Sequence, residues 1–155
     1  MTAKTLSTVV LPATCNAMID LQSYRGQAVV VFFYPKDNTP GCTSEACDFK
    51  SHFDFFRQHN IVVLGVSKDS MVSHEKFKTK LALPFDSVSD VDGVWCEHFG
   101  AWGEKKLYGK QYMGIIRTTV VIDACGNLIQ SWHHVRVKDH VRTVIDYLTS
   151  KAALL

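Results

Sequence analysis

Hydrophobic side chains occur along the chain in short blocks, and the spacing within each block predicts the element that it forms. Residues 28–34 are an apolar run rich in β-branched and aromatic side chains, which is typical of a strand buried on both faces of a sheet. In residues 43–59, apolar side chains recur every three or four positions and predict an amphipathic helix. These side chains are Ala46, Phe49, Phe53 and Phe56. Residues 61–66 are a second apolar run, so the three blocks together predict a right-handed βαβ unit with parallel strands.

The remaining blocks continue this alternation of strands and helices. They predict, in order, a polar helix over 70–83, a short strand over 85–88, a strand over 115–122, a turn over 123–127, an antiparallel strand over 128–135 and a helix over 138–150. The sum is an α/β fold with a central mixed sheet flanked by helices. No repeat, low-complexity tract or linker interrupts the 155 residues, which predicts a single domain over residues 1–155.

Composition argues against several kinds of partner. Lys and Arg total 17 against 15 acidic residues and are scattered, whereas a nucleic-acid site usually gathers basic residues into one patch. The apolar runs are far shorter than the roughly 20 residues that a membrane-spanning helix needs. Residues 1–7 lead into no apolar segment of the kind found in secretory signals. We therefore expect a cytoplasmic protein that binds neither nucleic acid nor membrane.

The chain has an odd number of cysteines and no sign of secretion, which does not fit a purely structural disulfide framework. In a reducing compartment, each cysteine is a metal ligand, a redox-active thiol or an inert buried side chain. The surrounding residues must decide among these. The five are Cys15, Cys42, Cys47, Cys96 and Cys125.

Cys42 lies where the strand predicted over 28–34 gives way to a helix, a position at which α/β sheets commonly hold reaction sites. The thiolate is the reactive form of cysteine, but a free thiol has a pKa of roughly 8.5 and is only slightly ionised at neutral pH. The first turn of a helix supplies unpaired N–H groups and the positive end of the helix dipole, and both favour a negative sulfur. Pro40 suits a helix start, and Gly41 lets the backbone approach a small ligand. The sequence therefore predicts a nucleophilic thiol at Cys42.

Cys47 follows five residues later on the same predicted helix. In an intact helix, the Cα atoms of the two cysteines would lie roughly 8–9 Å apart. A disulfide normally requires less than about 7 Å between Cα atoms. A bond between Cys42 and Cys47 would therefore require the first helical turns to unwind, so we expect oxidation to be coupled to a conformational change.

The segment Pro35-x-x-x-Thr39-x-x-Cys42 resembles the motif around the reactive cysteine of peroxiredoxins. The longer string over 33–47 is similar to the subgroup known as PrxQ or bacterioferritin comigratory protein. The resemblance covers most of the chain from about Arg25 onward. It continues through residues 65–70, 73–77, 83–85 and 114–119.

This resemblance implies a thioredoxin-like fold and a role for each residue of the motif. Cys42 would be the peroxidatic cysteine, which attacks the peroxide. Thr39 would bind a peroxide oxygen through its hydroxyl, and Pro35 would shield the thiolate from water. Arg117, on a predicted strand, would stabilise both the thiolate and the polarised O–O bond, since a guanidinium has several donors and keeps its charge. Glu45, one helical turn from the cysteine, would orient the arginine.

The implied reaction reduces hydrogen peroxide and alkyl hydroperoxides. Attack by the thiolate leaves a sulfenic acid on Cys42, and Cys47 condenses with it to form an intramolecular disulfide. An external dithiol, usually thioredoxin in this family, then reduces the disulfide by exchange. The resemblance implies no metal, haem or flavin. It also implies a monomer, which a cysteine pair within one chain permits.

Three other interpretations use the same residues. A thioredoxin-like disulfide oxidoreductase would share the fold, but it expects Cys-x-x-Cys and gives Thr39 and Arg117 no purpose. A non-catalytic redox sensor would react with peroxide once and pass the oxidation to a partner. A zinc site fits by residue type, yet two cysteines five residues apart on one helix point in different directions. Its ligands would be Cys42, Cys47, Cys96 and His98.

The remaining cysteines have weaker claims on the chemistry. Cys96 is a backup candidate for the resolving role, because some relatives carry that cysteine elsewhere. Cys15 lies where the chain departs from the N-terminal pattern of the family, and we expect a structural role for it. Cys125 falls in a predicted turn between strands and is expected to be incidental.

Overall fold

The computed structural model describes residues 6–151, and that range contains nine strands and five α-helices. A short 3-10 helix spans Leu21–Tyr24. The strands are β1 (Leu11–Ala13), β2 (Ala17–Ile19), β3 (Ala28–Phe33), β4 (Ile61–Ser67), β5 (Asp86–Ser89), β6 (Trp102–Leu107), β7 (Lys110–Ile115), β8 (Thr118–Ile122) and β9 (Leu128–His133). The helices are α1 (Pro40–Ser51), α2 (Phe53–Gln58), α3 (Met71–Leu81), α4 (Val94–His98) and α5 (His140–Ser150).

Seven of the strands form one mixed sheet in the order β2-β1-β5-β4-β3-β8-β9. β3 is parallel to β4, and β4 is parallel to β5, as the βαβ pattern predicts. β8 lies antiparallel beside β3, and β9 returns antiparallel beside β8. β1 and β2 complete the opposite edge in antiparallel orientation. The predicted α/β fold, with a mixed central sheet and flanking helices, is confirmed.

β3 divides the hydrophobic core, because its six side chains are all buried and alternate between the two faces of the sheet. Val29, Val31 and Phe33 face the side covered by α4. Val30 and Phe32 face the side covered by α1, α2, α3 and α5. The packing on this second side fixes the start of α1 against the carboxyl end of β3.

The prediction of a single helix over 43–59 is wrong, because the structure has two helices there. α1 begins earlier, at Pro40, and ends at Ser51, and His52 separates it from α2. The His52 Nδ1 atom lies 2.9 Å from the carbonyl oxygen of Asp48, in the last turn of α1. This local hydrogen bond competes with continuation of the helix. Phe49 of α1 and Phe56 of α2 are both buried in the core on this side of the sheet.

The prediction of a continuous strand over 115–122 is also wrong. β7 ends two residues before Arg117 and β8 begins at the residue after it, so the arginine lies in a bend and not on a strand. The Ile116 amide donates to the Ala101 carbonyl at 2.7 Å, which fixes the bend. The chain changes sheets here, since β6 and β7 form a separate two-stranded sheet that the sequence pattern does not predict.

The other predicted elements are confirmed, with small shifts at their ends. The helix predicted over 70–83 is α3, which stops earlier because Ala82 adopts a left-handed conformation with φ 51°. The strand over 85–88 is β5, and the final helix over 138–150 is α5. β1, β2 and α4 are not predicted. In the part of the chain that the structure describes, no helix is both long and apolar enough to cross a membrane.

Candidate active site

The predicted site residues lie together at the carboxyl end of β3. Pro35 and Thr39 belong to the loop that joins β3 to α1, and Cys42 and Glu45 belong to the first turns of α1. Arg117 reaches them from the bend before β8, because β3 and β8 are neighbouring antiparallel strands. The sheet thus brings a cysteine and an arginine that are 75 positions apart in sequence into contact.

The Cys42 side chain is buried at the third residue of α1, where its exposed fraction is 1%. The Arg117 Nη2 atom lies 3.5 Å from the Cys42 Sγ atom. The guanidinium and the positive end of the helix both favour a negative sulfur. Gly41 permits this contact, because a Cβ atom there would lie only 3.1 Å from Arg117 Nη2 and would force the guanidinium to shift.

Glu45 holds the guanidinium on its other side. Arg117 Nη1 donates to Glu45 Oε1 at 2.8 Å, and the glutamate side chain is fully buried. Burial raises the pKa of Glu45 to about 7, although Arg117 opposes this effect. Burial also disfavours the charge on Arg117, but Glu45 and Cys42 outweigh it and raise the pKa of the arginine above its ordinary value. The arginine therefore keeps its charge while the glutamate titrates near neutrality.

Replacing Glu45 by glutamine is expected to change how stability depends on pH. The folded protein holds the Glu45 proton more tightly than the unfolded chain does, because in the unfolded chain the pKa of Glu45 is near 4.5. The stabilising contribution of Glu45 is therefore complete below pH 4.5 and is lost as the pH rises through about 7. Urea unfolding at both ends of this window should show wild type losing up to roughly 3 kcal/mol relative to the variant as the pH rises. A relative stability that is constant or increases with pH would contradict this expectation.

Thr39 precedes the first residue of α1, but its side chain does not cap the helix. Its hydroxyl donates to the Lys36 carbonyl at 2.9 Å instead. A hydroxyl has one proton and two lone pairs, so the lone pairs of Thr39 Oγ1 can accept a hydrogen bond from a ligand. Pro35 and Arg117 line a pocket of about 480 Å³ next to this loop. The loop thus combines a hydrogen-bond acceptor with an apolar wall.

Cys47 is half-buried and lies on the same helix as Cys42. Both side chains are free thiols. Since α1 is continuous over Pro40–Ser51, helical geometry keeps their Cα atoms roughly 8–9 Å apart, beyond the reach of a disulfide. This is the geometry of a reduced form, in which a bond between the two sulfurs requires α1 to open.

The sheet separates Cys96 from Cys42. Cys42 packs in the cluster that contains Phe32, whereas Cys96 packs on the opposite face in the cluster that contains Phe33. Burial, reinforced by the nearby carboxylate of Asp90, raises the pKa of the Cys96 thiol well above its ordinary range. The structure therefore does not support Cys96 as a backup resolving cysteine, and it does not bring the four candidate zinc ligands together.

The two exposed cysteines lie in turns. Cys15 lies exposed in the turn between β1 and β2, so it is not a core side chain, and the structural role expected for it is not supported. Cys125 lies in the turn between β8 and β9, at the position that the sequence pattern predicts.

A buried network that the sequence pattern does not predict holds the loop between β3 and α1. Asp37, in this loop, accepts hydrogen bonds from the hydroxyls of Tyr34 at 2.7 Å and Ser73 at 2.8 Å. His74 Nδ1 lies 2.8 Å from the Asp37 carboxylate, and His74 Nε2 lies 3.0 Å from the Val88 carbonyl oxygen. Each ring nitrogen therefore lies within hydrogen-bonding distance of an oxygen atom. Burial alone would raise the pKa of Asp37, but the hydrogen bonds from histidine and tyrosine lower it.

A second carboxylate ties the same loop to β4. Asp69 accepts hydrogen bonds from the Asp37 amide at 2.8 Å and the Ser67 hydroxyl at 2.6 Å. Ligand atoms of Asp37, Asp69 and His74 lie within 4.8 Å of one another, but protein donors and acceptors already engage them. The network anchors the loop to α3 and the sheet. The sequence contains one indication of this network. His74 and Phe77 are three residues apart on a predicted helix, and this spacing puts the histidine on the same face as the phenylalanine, which is the buried face.

Comparison with known proteins places the chain in a family. Residues 3–131 match the model of the AhpC/TSA family. Peroxiredoxin Bcp of Bacillus subtilis strain 168 is 47% identical over 130 residues, which cover 84% of this chain and 83% of that protein. One similar solved structure is that of bacterioferritin comigratory protein from Xanthomonas campestris, a protein with alkyl peroxide reduction activity. Its TM-score is 0.89 and its sequence identity 37%, and the match covers 93% of this chain and 92% of that one. Peroxiredoxin Q of the same organism has a TM-score of 0.89 and 38% identity, with coverage of 93% and 91%.

A buried cysteine beside an arginine, on a thioredoxin-like fold with these relatives, defines a thiol-dependent peroxidase. The chain belongs to the AhpC/TSA family, and within it to the Bcp or PrxQ peroxiredoxins. The resemblance drawn from the cysteine motif is thereby confirmed, and so are the fold and the peroxidase activity that it implies.

Proposed function

We propose that Cys42 is the peroxidatic cysteine of this enzyme, that Cys47 resolves it, and that a dithiol of the thioredoxin type reduces the product. The main support is the 3.5 Å contact between Arg117 Nη2 and the Cys42 sulfur. The same guanidinium is held in place by its 2.8 Å hydrogen bond to Glu45. This arrangement suits a thiolate and a peroxide better than simple disulfide exchange, which needs no fixed cation.

In the first step, the Cys42 thiolate attacks one peroxide oxygen. The O–O bond breaks, and the leaving oxygen takes a proton from solvent to give water or an alcohol, while the cysteine becomes a sulfenic acid. Arg117 has five N–H donors, so it can bind the peroxide while it contacts Glu45, and it stabilises the negative charge that develops on the leaving oxygen. The hydroxyl oxygen of Thr39 accepts a hydrogen bond from the peroxide O–H group. Pro35 keeps water from the sulfur.

In the second step, the Cys47 thiol condenses with the sulfenic acid, which forms the disulfide and releases water. The first turns of α1 must unwind for the sulfurs to meet. Two features favour this opening: Thr39 makes no side-chain cap hydrogen bond, and Gly41 has a low helix propensity. Since both cysteines belong to one chain, a monomer is sufficient for the cycle.

The third step is reduction of the disulfide by an external dithiol. Opening of α1 would expose the bond to attack by a thiolate, and exchange would restore both thiols while the reductant becomes a disulfide. Thioredoxin has this chemistry, and we propose it as the partner. A cytoplasmic location would supply such a reductant and would keep the five free cysteines reduced.

Replacing Cys47 by serine tests this cycle in an assay coupled to thioredoxin, thioredoxin reductase and NADPH. Wild type is expected to consume many equivalents of peroxide. The variant should still react once at a rate close to that of wild type, but it should lose turnover with thioredoxin. Cys96→Ser is the matched control, because it removes a buried cysteine on the other face of the sheet.

The other outcomes of this assay identify the alternatives. Turnover that persists in Cys47→Ser would move the resolving role to the reductant itself. A wild-type protein that reacts only once would be a redox sensor and not an enzyme of this kind.

Replacing His74 by asparagine is expected to slow the reaction with peroxide but not the alkylation of Cys42 by iodoacetamide. The substitution removes one of the three side-chain partners of Asp37, so the loop that carries Thr39 can shift, whereas alkylation requires only the thiolate. A displacement of about 1 Å can cost roughly a hundredfold in rate, so a loss of roughly tenfold to a hundredfold with hydrogen peroxide is expected. Both rates are measured by stopped-flow or competition kinetics.

Lys78→Met is the matched control for the histidine variant. Lys78 is also on α3, but its ammonium pairs with Asp86 of β5 at 2.7 Å. Its removal should leave both reactions of the thiol unchanged. If the His74 variant slowed peroxide reduction and alkylation equally, the network would act on the thiol and not on the peroxide-binding loop.

A further inference from the structure

The hairpin of β6 and β7, residues 102–115, lies next to the candidate active site. In the part of the chain that the structure describes, its two strands pair only with each other, and β7 ends two residues before Arg117. Three residues of β6 line the pocket that contains Pro35 and Arg117. They are Glu104, Lys105 and Lys106. The hairpin therefore borders the site that contains Cys42.

The outer end of this hairpin exposes large hydrophobic side chains that the core does not use. They are Leu107, Tyr108, Tyr112 and Met113. All four lie within seven consecutive residues. Exposed aromatic and aliphatic side chains gathered at one place are typical of a protein–protein interface, in which tyrosine and methionine are enriched.

The conformation of Tyr108 is not one that folding alone would favour for a tyrosine. β6 and β7 are joined by a two-residue turn of Tyr108 and Gly109, whose φ angles are 52° and 77°. A turn with positive φ at both positions is normally Asn-Gly or Gly-Gly, because a bulky side chain disfavours this backbone region. The Tyr108 side chain is 95% exposed, so packing does not offset this cost. An aromatic ring at this position serves contact with another molecule better than it serves the fold.

The hairpin is also basic. Three lysines against one glutamate give residues 102–115 a net charge of +2, which equals the net charge of the whole chain. Lys105 lies directly opposite Tyr112 on one face of the hairpin, and Leu107 and Lys110 are opposite each other on the same face. A partner must therefore present acidic side chains around an apolar contact. A second copy of this chain does not meet this requirement, since two such faces would bring lysines together.

We infer that the β6–β7 hairpin is the docking surface for the dithiol protein that reduces this enzyme, and that this protein has an acidic, partly apolar surface around its cysteines. The inference rests on the proposed function, because an external dithiol must reduce the disulfide of Cys42 and Cys47. One thiolate of the reductant attacks a sulfur of this disulfide and forms a mixed disulfide, which its second thiol then breaks. Both cysteines of the peroxidase become thiols, and the reductant becomes a disulfide.

The experiment measures kcat/KM for an acidic thioredoxin in the coupled assay, and compares it with the rate at which dithiothreitol, which needs no docking surface, reduces the same disulfide. Tyr108→Asn introduces a residue that this turn favours, so the fold should be at least as stable, yet kcat/KM for thioredoxin should fall by roughly tenfold. Lys110→Glu should lower it by a similar factor, and this loss should shrink at high ionic strength. Reduction by dithiothreitol and the single-turnover rate with hydrogen peroxide should stay as in wild type.

Two substitutions on α3 are the matched controls. Val72→Ser removes another exposed hydrophobic side chain, and Lys76→Glu reverses the charge of another exposed lysine. Both residues line a pocket with β1 and β2, at the opposite edge of the sheet from β8 and β9. Both variants should keep the wild-type kcat/KM for thioredoxin.

Two results would overturn the inference. One is a kcat/KM for thioredoxin that is unchanged in both hairpin variants; if these variants also lost binding to phosphatidylglycerol vesicles, the hairpin would contact a membrane instead. The other is an equal loss with thioredoxin and dithiothreitol, which would mean that the hairpin acts on the disulfide and not on docking. Neither result would affect the proposed function. A wild-type protein that thioredoxin does not reduce would overturn both.

Discussion

Replacing Cys42 by serine is expected to lower kcat/KM for hydrogen peroxide by roughly 10⁴-fold or more, because a serine hydroxyl is not ionised at neutral pH. The side chain is 1% exposed and serine is close to cysteine in shape, so the fold should persist. Competition or stopped-flow kinetics with hydrogen peroxide measures the loss, and circular dichroism checks the fold. Cys125→Ser, which changes an exposed thiol in a turn, is the matched control and should react as wild type does.

Undiminished turnover in Cys42→Ser would contradict the assignment of the peroxidatic cysteine. Loss of turnover in Cys125→Ser as well would show that the assay responds to a general effect of removing a thiol. Only loss confined to the Cys42 variant supports a site built around that residue.

Replacing Arg117 by alanine is expected to lower the rate with hydrogen peroxide by roughly 10²-fold to 10³-fold. The guanidinium lies 3.5 Å from the sulfur as a hydrogen-bond donor, and such donors stabilise charge that develops in the transition state. Arg117→Lys keeps the charge but lacks the planar set of donors, so an intermediate rate is expected. The rates are measured by single-turnover kinetics.

A double variant separates chemistry from stability at this position. Arg117→Ala leaves the fully buried Glu45 without its cation, which also destabilises the protein. Without Arg117, the pKa of Glu45 rises further, so the unpaired charge exists only above that pKa. Adding Glu45→Gln removes it, and urea unfolding at such a pH should show recovered stability while the rate with peroxide stays low. Recovery of the rate in the double variant would show that Arg117 acts by supporting the fold and not by stabilising the reaction.

Much of the fold could be predicted because its central elements have strong local patterns. The apolar run that forms β3 and the apolar spacing of α5 both depend on residues close together in sequence. A helix start just before Cys42 was predictable from Pro40 and Gly41 for the same reason. The motif around this cysteine then supplied Thr39 and Pro35, which the structure holds in the adjoining loop.

The features that were missed depend on contacts between distant residues. The bend at Arg117 arises because the chain changes sheets there, although the side chains on both sides have strand-like character. The β6–β7 hairpin is largely exposed and lacks the alternation of apolar and polar residues that marks a half-buried strand. The contact between Asp37 and His74 joins a loop to a helix 37 residues away, and no local spacing indicates it.

The most direct test of the account is to identify which sulfur peroxide oxidises. Reduced Cys47→Ser protein is treated with a single equivalent of hydrogen peroxide in the presence of dimedone, which traps sulfenic acids, and peptides are then analysed by mass spectrometry. The predicted result is a dimedone adduct on Cys42, with Cys15 and Cys125 unmodified although they are more exposed. An adduct on Cys15 or Cys125, with Cys42 unlabelled, would contradict the claim that the site formed by Arg117 and the start of α1 activates Cys42.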